Sequence, residues 1–131
     1  MKNLISLLFA LCFLITNCCF AKPVQCPSID KIRNAQFTLA GWGPPEWVVI
    51  GELTNDDGKK WTVGYDFSND QCKSENEALD CAQKQIKTEA LHEPRVAKQG
   101  PLTECAYSDA FSVFAINPPT EPHQALTRFH R

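Results

Sequence analysis

The chain has 131 residues and a formal charge of −2, from 13 Lys and Arg against 15 Asp and Glu. That length suits one domain rather than several, and the near-balanced charge lacks the basic excess that nucleic-acid binders carry. An apolar content of 44% excludes a wholly disordered chain.

Met1-Lys2-Asn3 is a short positive start, the apolar run Leu4 to Ile15 follows, and Thr16-Asn17 ends it. Cys19 and Ala21 then put small side chains at −3 and −1 of a cut after Ala21. This is the layout of a cleavable secretory signal over residues 1–21, with a core too short to span a membrane. Cleavage implies a protein working outside the cytosol with no stable membrane span. It removes Cys12, Cys18 and Cys19 and leaves Cys26, Cys72, Cys81 and Cys105. An even number of cysteines in a small exported domain reads as two disulfides. If Ser74 caps a helix, Cys81 lies about 10 Å up its axis. Bridged Cα atoms must approach within roughly 7 Å. The spacing therefore disfavours Cys72–Cys81 and leans to Cys26–Cys72 with Cys81–Cys105.

Ser28 can cap a short helical segment, Ser28 to Asn34, with Ile29 and Ile32 on one side. Gln36 to Ala40 reads as a strand, and Gly41-Trp42-Gly43-Pro44-Pro45 as a loop that interrupts it. Trp47 to Thr54 and Lys60 to Phe67 form a predicted hairpin, turning at Asn55 to Lys59 with Gly58 free to take positive φ. In its second strand Trp61, Val63, Tyr65 and Phe67 share one face, and Lys60, Thr62, Gly64 and Asp66 the other. Strict alternation predicts one face on a core and one in water.

Ser74-Glu75-Asn76-Glu77 is a capping box. It opens a predicted helix over 74–92, with Leu79, Ala82, Ile86 and Ala90 as its apolar stripe and Glu93-Pro94 as its stop. Two more strands, Leu102 to Tyr107 and Ala110 to Ile116, are separated by Ser108-Asp109. Residues 117–131 contain three prolines and few core candidates, which predicts an extended Pro-rich tail. The expectation is a single α+β domain over 22–116: an antiparallel sheet of four to five strands, one main helix on one face, and disulfide support.

Trp42 and Trp47 flank the Gly-Pro stretch, where they serve either as recognition anchors or as a seal on the open end of the sheet. Asn55, Asp56 and Asp57 lack the loop length and closing Glu of an EF-hand and read as a solvated turn. His92 falls at the end of the predicted helix, where a cation is favoured, and His123 on the tail. Neither is spaced as part of a zinc pair, so no metal site is expected. No G-x-S-x-G or H-E-x-x-H motif occurs, and the chain is expected not to be an enzyme.

Cys26-Pro27-Ser28 with its short helix, the Trp-rich hairpin, and Cys105-Ala106-Tyr107 followed by Asn117-Pro118-Pro119 resemble a family of small secreted proteins of intracellular gamma-proteobacteria. Some members are labelled hemin-binding, and some leave the cell by type II secretion. The resemblance implies a periplasmic or extracellular, virulence-associated haem binder in iron acquisition or host interaction. The ring would pack between Trp and Phe side chains, with Tyr65, Tyr107, His92 or His123 on iron. A second reading is a host-directed protein-binding module anchored at Trp42 and Trp47. A third is a small hydrolase using two of Glu46, Glu52, Asp66 and Glu104.

Overall fold

A computed structural model describes residues 23–110 and 112–129; the predicted leader lies outside them. The element order is α1 (Ile29–Arg33), β1 (Gln36–Gly43), β2 (Glu46–Thr54), β3 (Lys60–Phe67), α2 (Glu75–Gln85), β4 (Arg95–Gln99), β5 (Leu102–Ala106), β6 (Val113–Asn117) and α3 (Pro122–Phe129). All strand pairs are antiparallel, in the spatial order β1-β2-β3-β6-β5-β4. The fold is α+β as expected, but with six strands rather than four or five.

The additional strand is β4, whose five residues are all exposed. An edge strand contributes little to the core, so its sequence needs no apolar alternation, and Arg95 and Lys98 keep it solvated. The predicted Gly-Pro loop is also mostly strand. Trp42 pairs with Trp47 and Gly43 with Glu46, leaving Pro44-Pro45, joined by a cis peptide bond, as the whole connection. The glycines weaken a ladder without blocking it, and the two prolines fall where no ladder N–H is needed. The β2–β3 hairpin matches its prediction, with Gly58 at φ 81° and the Lys59 amide donating to the Asp57 carboxylate at 2.9 Å.

The face carrying Trp61, Val63, Tyr65 and Phe67 is the main core, closed by Ile32 of α1 and by Ala78, Ala82 and Ile86 around α2. Ser74 caps α2 by accepting from the Glu77 amide at 3.3 Å, while the Glu77 carboxylate accepts from the Lys73 amide at 2.6 Å. The helix stops at Gln85, well before the predicted 92. Arg33 reaches across from α1 and donates to the carbonyls of Ile86, Lys87 and Glu89 at 2.8, 2.8 and 3.1 Å. That guanidinium satisfies carbonyls left open at a helix C-terminus, and the chain turns away there. Ala90, placed on the predicted stripe, is exposed.

The other face of the sheet is not wet. Thr62 and Gly64 are buried, and a Cβ at Gly64 would collide with the Phe114 ring of the neighbouring strand. Beside them, Ala125 of α3 packs on Val48 and Ile50 together with Leu39 and Leu126. The segment expected as an extended tail therefore supplies a second helical layer. Its route is fixed by Thr62, which donates to the Thr120 carbonyl at 3.0 Å and accepts from the Thr120 amide at 2.8 Å. Pro122 opens α3, a position that needs no backbone N–H.

Two disulfides are present, pairing Cys26 with Cys105 and Cys72 with Cys81, at Cα separations of 6.0 and 6.7 Å. This corrects the pairing that helix rise favoured. After β3 the chain reverses at Asn69, where the Cys72 amide donates to the Asn69 carbonyl at 3.2 Å. Cys72 is thereby brought within bridging distance of Cys81 on α2 instead of standing a full axial rise away.

Candidate functional site

A concave feature lies at the β1–β2 turn end of the main face. Trp42 and Trp47 are cross-strand partners with ring centroids 5.1 Å apart and planes tilted by 55°. Trp47 is 5% exposed and donates its indole N–H to the Cys72 carbonyl at 2.9 Å. Trp42 is 50% exposed. One ring is therefore anchored, and it supports another whose remaining surface is open. Opposite them runs the segment 69–73. Asn69 accepts from the Gln71 amide at 3.0 Å, Cys72 is tied to α2 by its disulfide, and the Lys73 amide is held by Glu77. Between the two walls is an open cleft of about 430 Å³ lined by Trp42, Trp47, Asn69, Asp70, Cys72 and Lys73.

The polar groups on this rim are largely uncommitted. Among the described residues, the Asp70 carboxylate and the Lys73 ammonium make no hydrogen bond or ion pair, and Asn69 uses only its carbonyl oxygen. Sequence reasoning singled out the two tryptophans but missed Asn69, Asp70 and Lys73. Their only signal was polar turn composition beside a bridging cysteine, which is common to many surface turns.

The remaining predicted site residues are not at this cleft. Tyr65 is fully buried and donates to the Glu89 carboxylate at 2.6 Å. Burial, and then the hydrogen bond and charge of Glu89, hold its phenol far above the usual range. Tyr107 is also fully buried and donates to the Pro27 carbonyl; burial and then the Glu93 charge raise its pKa too. His92 lies beyond the end of α2, so the expected helix-dipole role is replaced by a surface contact. Its Nδ1 is 2.7 Å from the Glu93 carbonyl oxygen and its Nε2 3.3 Å from the Asp109 carboxylate, which also pairs with Arg95 at 3.1 Å. His123 is exposed on α3, on an open surface shared with Gln124, Thr127 and Arg128.

These residues do not fit a haem site. An iron ligand must present its donor atom at an open ring-binding surface. The two phenols point into the core with their protons committed, the two imidazoles stand on separate surfaces, and the Cys26 sulfur is in a disulfide. Among the described residues no cluster of three or more His, Cys, Asp or Glu side chains is arranged to hold a metal ion, and no helix is long and apolar enough to cross a membrane.

Of the four carboxylates considered for catalysis, two converge. Asp66 of β3 is pushed up to about 7, first by burial and then by hydrogen bonding and charge from Glu46 at the start of β2. Asp66 is opposite Val48, on the α3 face of the sheet, whereas the tryptophan cleft is on the α2 face. Glu52 is exposed and Glu104 half-buried on a separate strand.

No protein family matches the chain, and no curated protein or solved structure is similar to it.

Proposed function

We propose that this chain is a secreted, non-enzymatic binding protein that takes its ligand at the Trp42–Trp47 cleft. The observation that carries this reading is the half-exposed Trp42 packed at a tilt against a buried, hydrogen-bonded Trp47. A large apolar ring left open on a rigid hairpin is an anchor in waiting, because its burial by a ligand gains contact area with little loss of conformational freedom. The opposite wall is stiffened by the Cys72–Cys81 disulfide, so the cleft is preformed. Two disulfides also suit an oxidising compartment, in keeping with export.

Haem remains a ligand to test, since the resemblance to hemin-binding proteins implies it. The cleft lining offers no imidazole or phenol, so stacking and hydrogen bonding are favoured over iron ligation.

The test screens hemin, peptides and glycans against the protein by tryptophan emission. Trp47 and Trp61 are buried, so the ligand-sensitive signal comes from Trp42. The expected result is a saturable emission change in the parent and, by saturation-transfer NMR, no binding of the same ligand to Trp42→Ala, whose thermal midpoint is unchanged. A ligand that binds Trp42→Ala as tightly as the parent overturns the reading. A saturable Soret shift independent of Trp42 replaces it with haem binding elsewhere on the chain.

A further inference from the structure

Building on the cleft as the working site, we infer that its ligand is a neutral carbohydrate: a pyranose that stacks on Trp42 and hydrogen-bonds to Asn69, Asp70 and Lys73. Three observations converge. The first is the open indole. The carbon-bound hydrogens of one sugar face carry slight positive charge, and an aromatic face is negative, so the two attract when stacked. Trp42 presents such a face and Trp47 holds it in place.

The second is the rim. Vicinal hydroxyls both donate and accept, and they are recognised by an acceptor beside donors. The Asp70 carboxylate accepts, while the Asn69 amide nitrogen and the Lys73 ammonium donate. Among the described residues none of these three groups is committed elsewhere. One negative and one positive charge leave the cleft close to neutral, which disfavours a phosphate or a polyanion.

The third is isolation. Among the described residues the only large hydrophobic side chains that are strongly exposed are Trp42 and Val96, and Val96 lies on β4, at the far edge of the sheet from β1. A protein interface surrounds its hot-spot tryptophan with further contacts over roughly 800 Å² per partner. Among the described residues no other large hydrophobic side chain is strongly exposed beside Trp42, and a cleft of about 430 Å³ lies in the small-molecule range. A single ring edged by polar groups suits a small, hydroxyl-rich ligand better than a polypeptide.

The test titrates the disulfide-intact protein with methyl glycosides of neutral hexoses and N-acetylhexosamines and with their β1,4-linked disaccharides. Tryptophan emission and saturation-transfer NMR are the readouts. At least one sugar should bind saturably. Trp42→Ala should weaken it by roughly tenfold or more, as for a stacking anchor, and Asp70→Asn by roughly fivefold, as for one charge-assisted hydrogen bond. Trp42→Phe, which keeps a stacking face, should retain most of the affinity, and Val96→Ala all of it. If no sugar binds but a peptide from the screen does so in a Trp42-dependent way, the carbohydrate inference falls and the cleft reading stands. If sugars bind Trp42→Ala as well as the parent protein, both fall.

Discussion

The two faces of the sheet are covered by different means. On the α2 face, Trp61, Val63, Tyr65 and Phe67 meet two helices; one disulfide ties the segment before α1 to β5, 79 residues on, and the other ties α2 to the turn that precedes it. On the α3 face, a helix of eight residues rests on Val48 and Ile50 through Ala125, held by one reciprocal hydrogen-bonded contact at Thr62. The first arrangement is cross-linked and aromatic; the second is a small docked element. The candidate site lies on the first face, where its geometry is held most firmly. A preformed cleft needs that rigidity, because every side chain that must be ordered on binding subtracts from affinity.

The largest expected effect comes from cutting the long disulfide. Cys26–Cys105 spans 79 residues and Cys72–Cys81 spans 9. Restriction of the unfolded chain makes them worth about 4.5 and about 2.5 kcal/mol respectively. The double variant Cys26→Ala/Cys105→Ala should therefore unfold at clearly lower denaturant concentration than Cys72→Ala/Cys81→Ala. The shorter bridge should matter more to the cleft, whose wall it ties to α2. Chemical denaturation of both variants checks the order, and a reversal would mean that native-state packing rather than loop length sets their worth.

A smaller effect is expected from Ala125→Asp, which puts a carboxylate against Val48 and Ile50. Burying it costs a few kcal/mol, but the helix can instead undock, so the observed loss cannot exceed the docking energy of α3. A decrease of about 1–3 kcal/mol is expected. Hydrogen exchange should then accelerate over 122–129 while the strands of the main face stay protected. Exchange that accelerates uniformly would make α3 part of one cooperative unit and dissolve the contrast between the faces.

Much of the main face was legible in the sequence. The alternation of Trp61, Val63, Tyr65 and Phe67 is a direct consequence of strand geometry, and Ser74-x-x-Glu77 marks the start of α2 through local hydrogen bonds. What sequence reading missed depends on partners distant in the chain. Arg33 ends α2 from 53 to 56 residues away, and no local pattern announces it. Thr62 and Gly64 read as wet because polar and small residues look alike whether they face water or lie beneath a ring and a docked helix. The same ambiguity hid half of the candidate site. Trp42 and Trp47 stood out by residue type, but only the reversal of the chain at Asn69 brings Asn69, Asp70 and Lys73 opposite them. Tyr65 and Tyr107, attractive as ligands by type, are core residues whose hydroxyls are spent inside the fold.

The mildest test concerns the carboxyl pair on the α3 face. Asp66 ionises near its ordinary value, 3.8, in the unfolded chain, but its carboxyl is held up to about 7 in the fold, by burial and then by Glu46. Between those values the native state binds more protons than the unfolded state, so stability falls as pH rises through that window. Asp66 is partly buried rather than sealed from water, and solvent screening reduces the effect to about 1 kcal/mol. Asp66→Asn keeps the shape without the charge. It should leave stability near pH 4 almost unchanged, raise it by about that amount at pH 8, and remove the slope between. Denaturation midpoints measured across the range test this. A slope that survives the substitution would assign the pH dependence to other groups and leave the Glu46–Asp66 contact as ordinary surface chemistry.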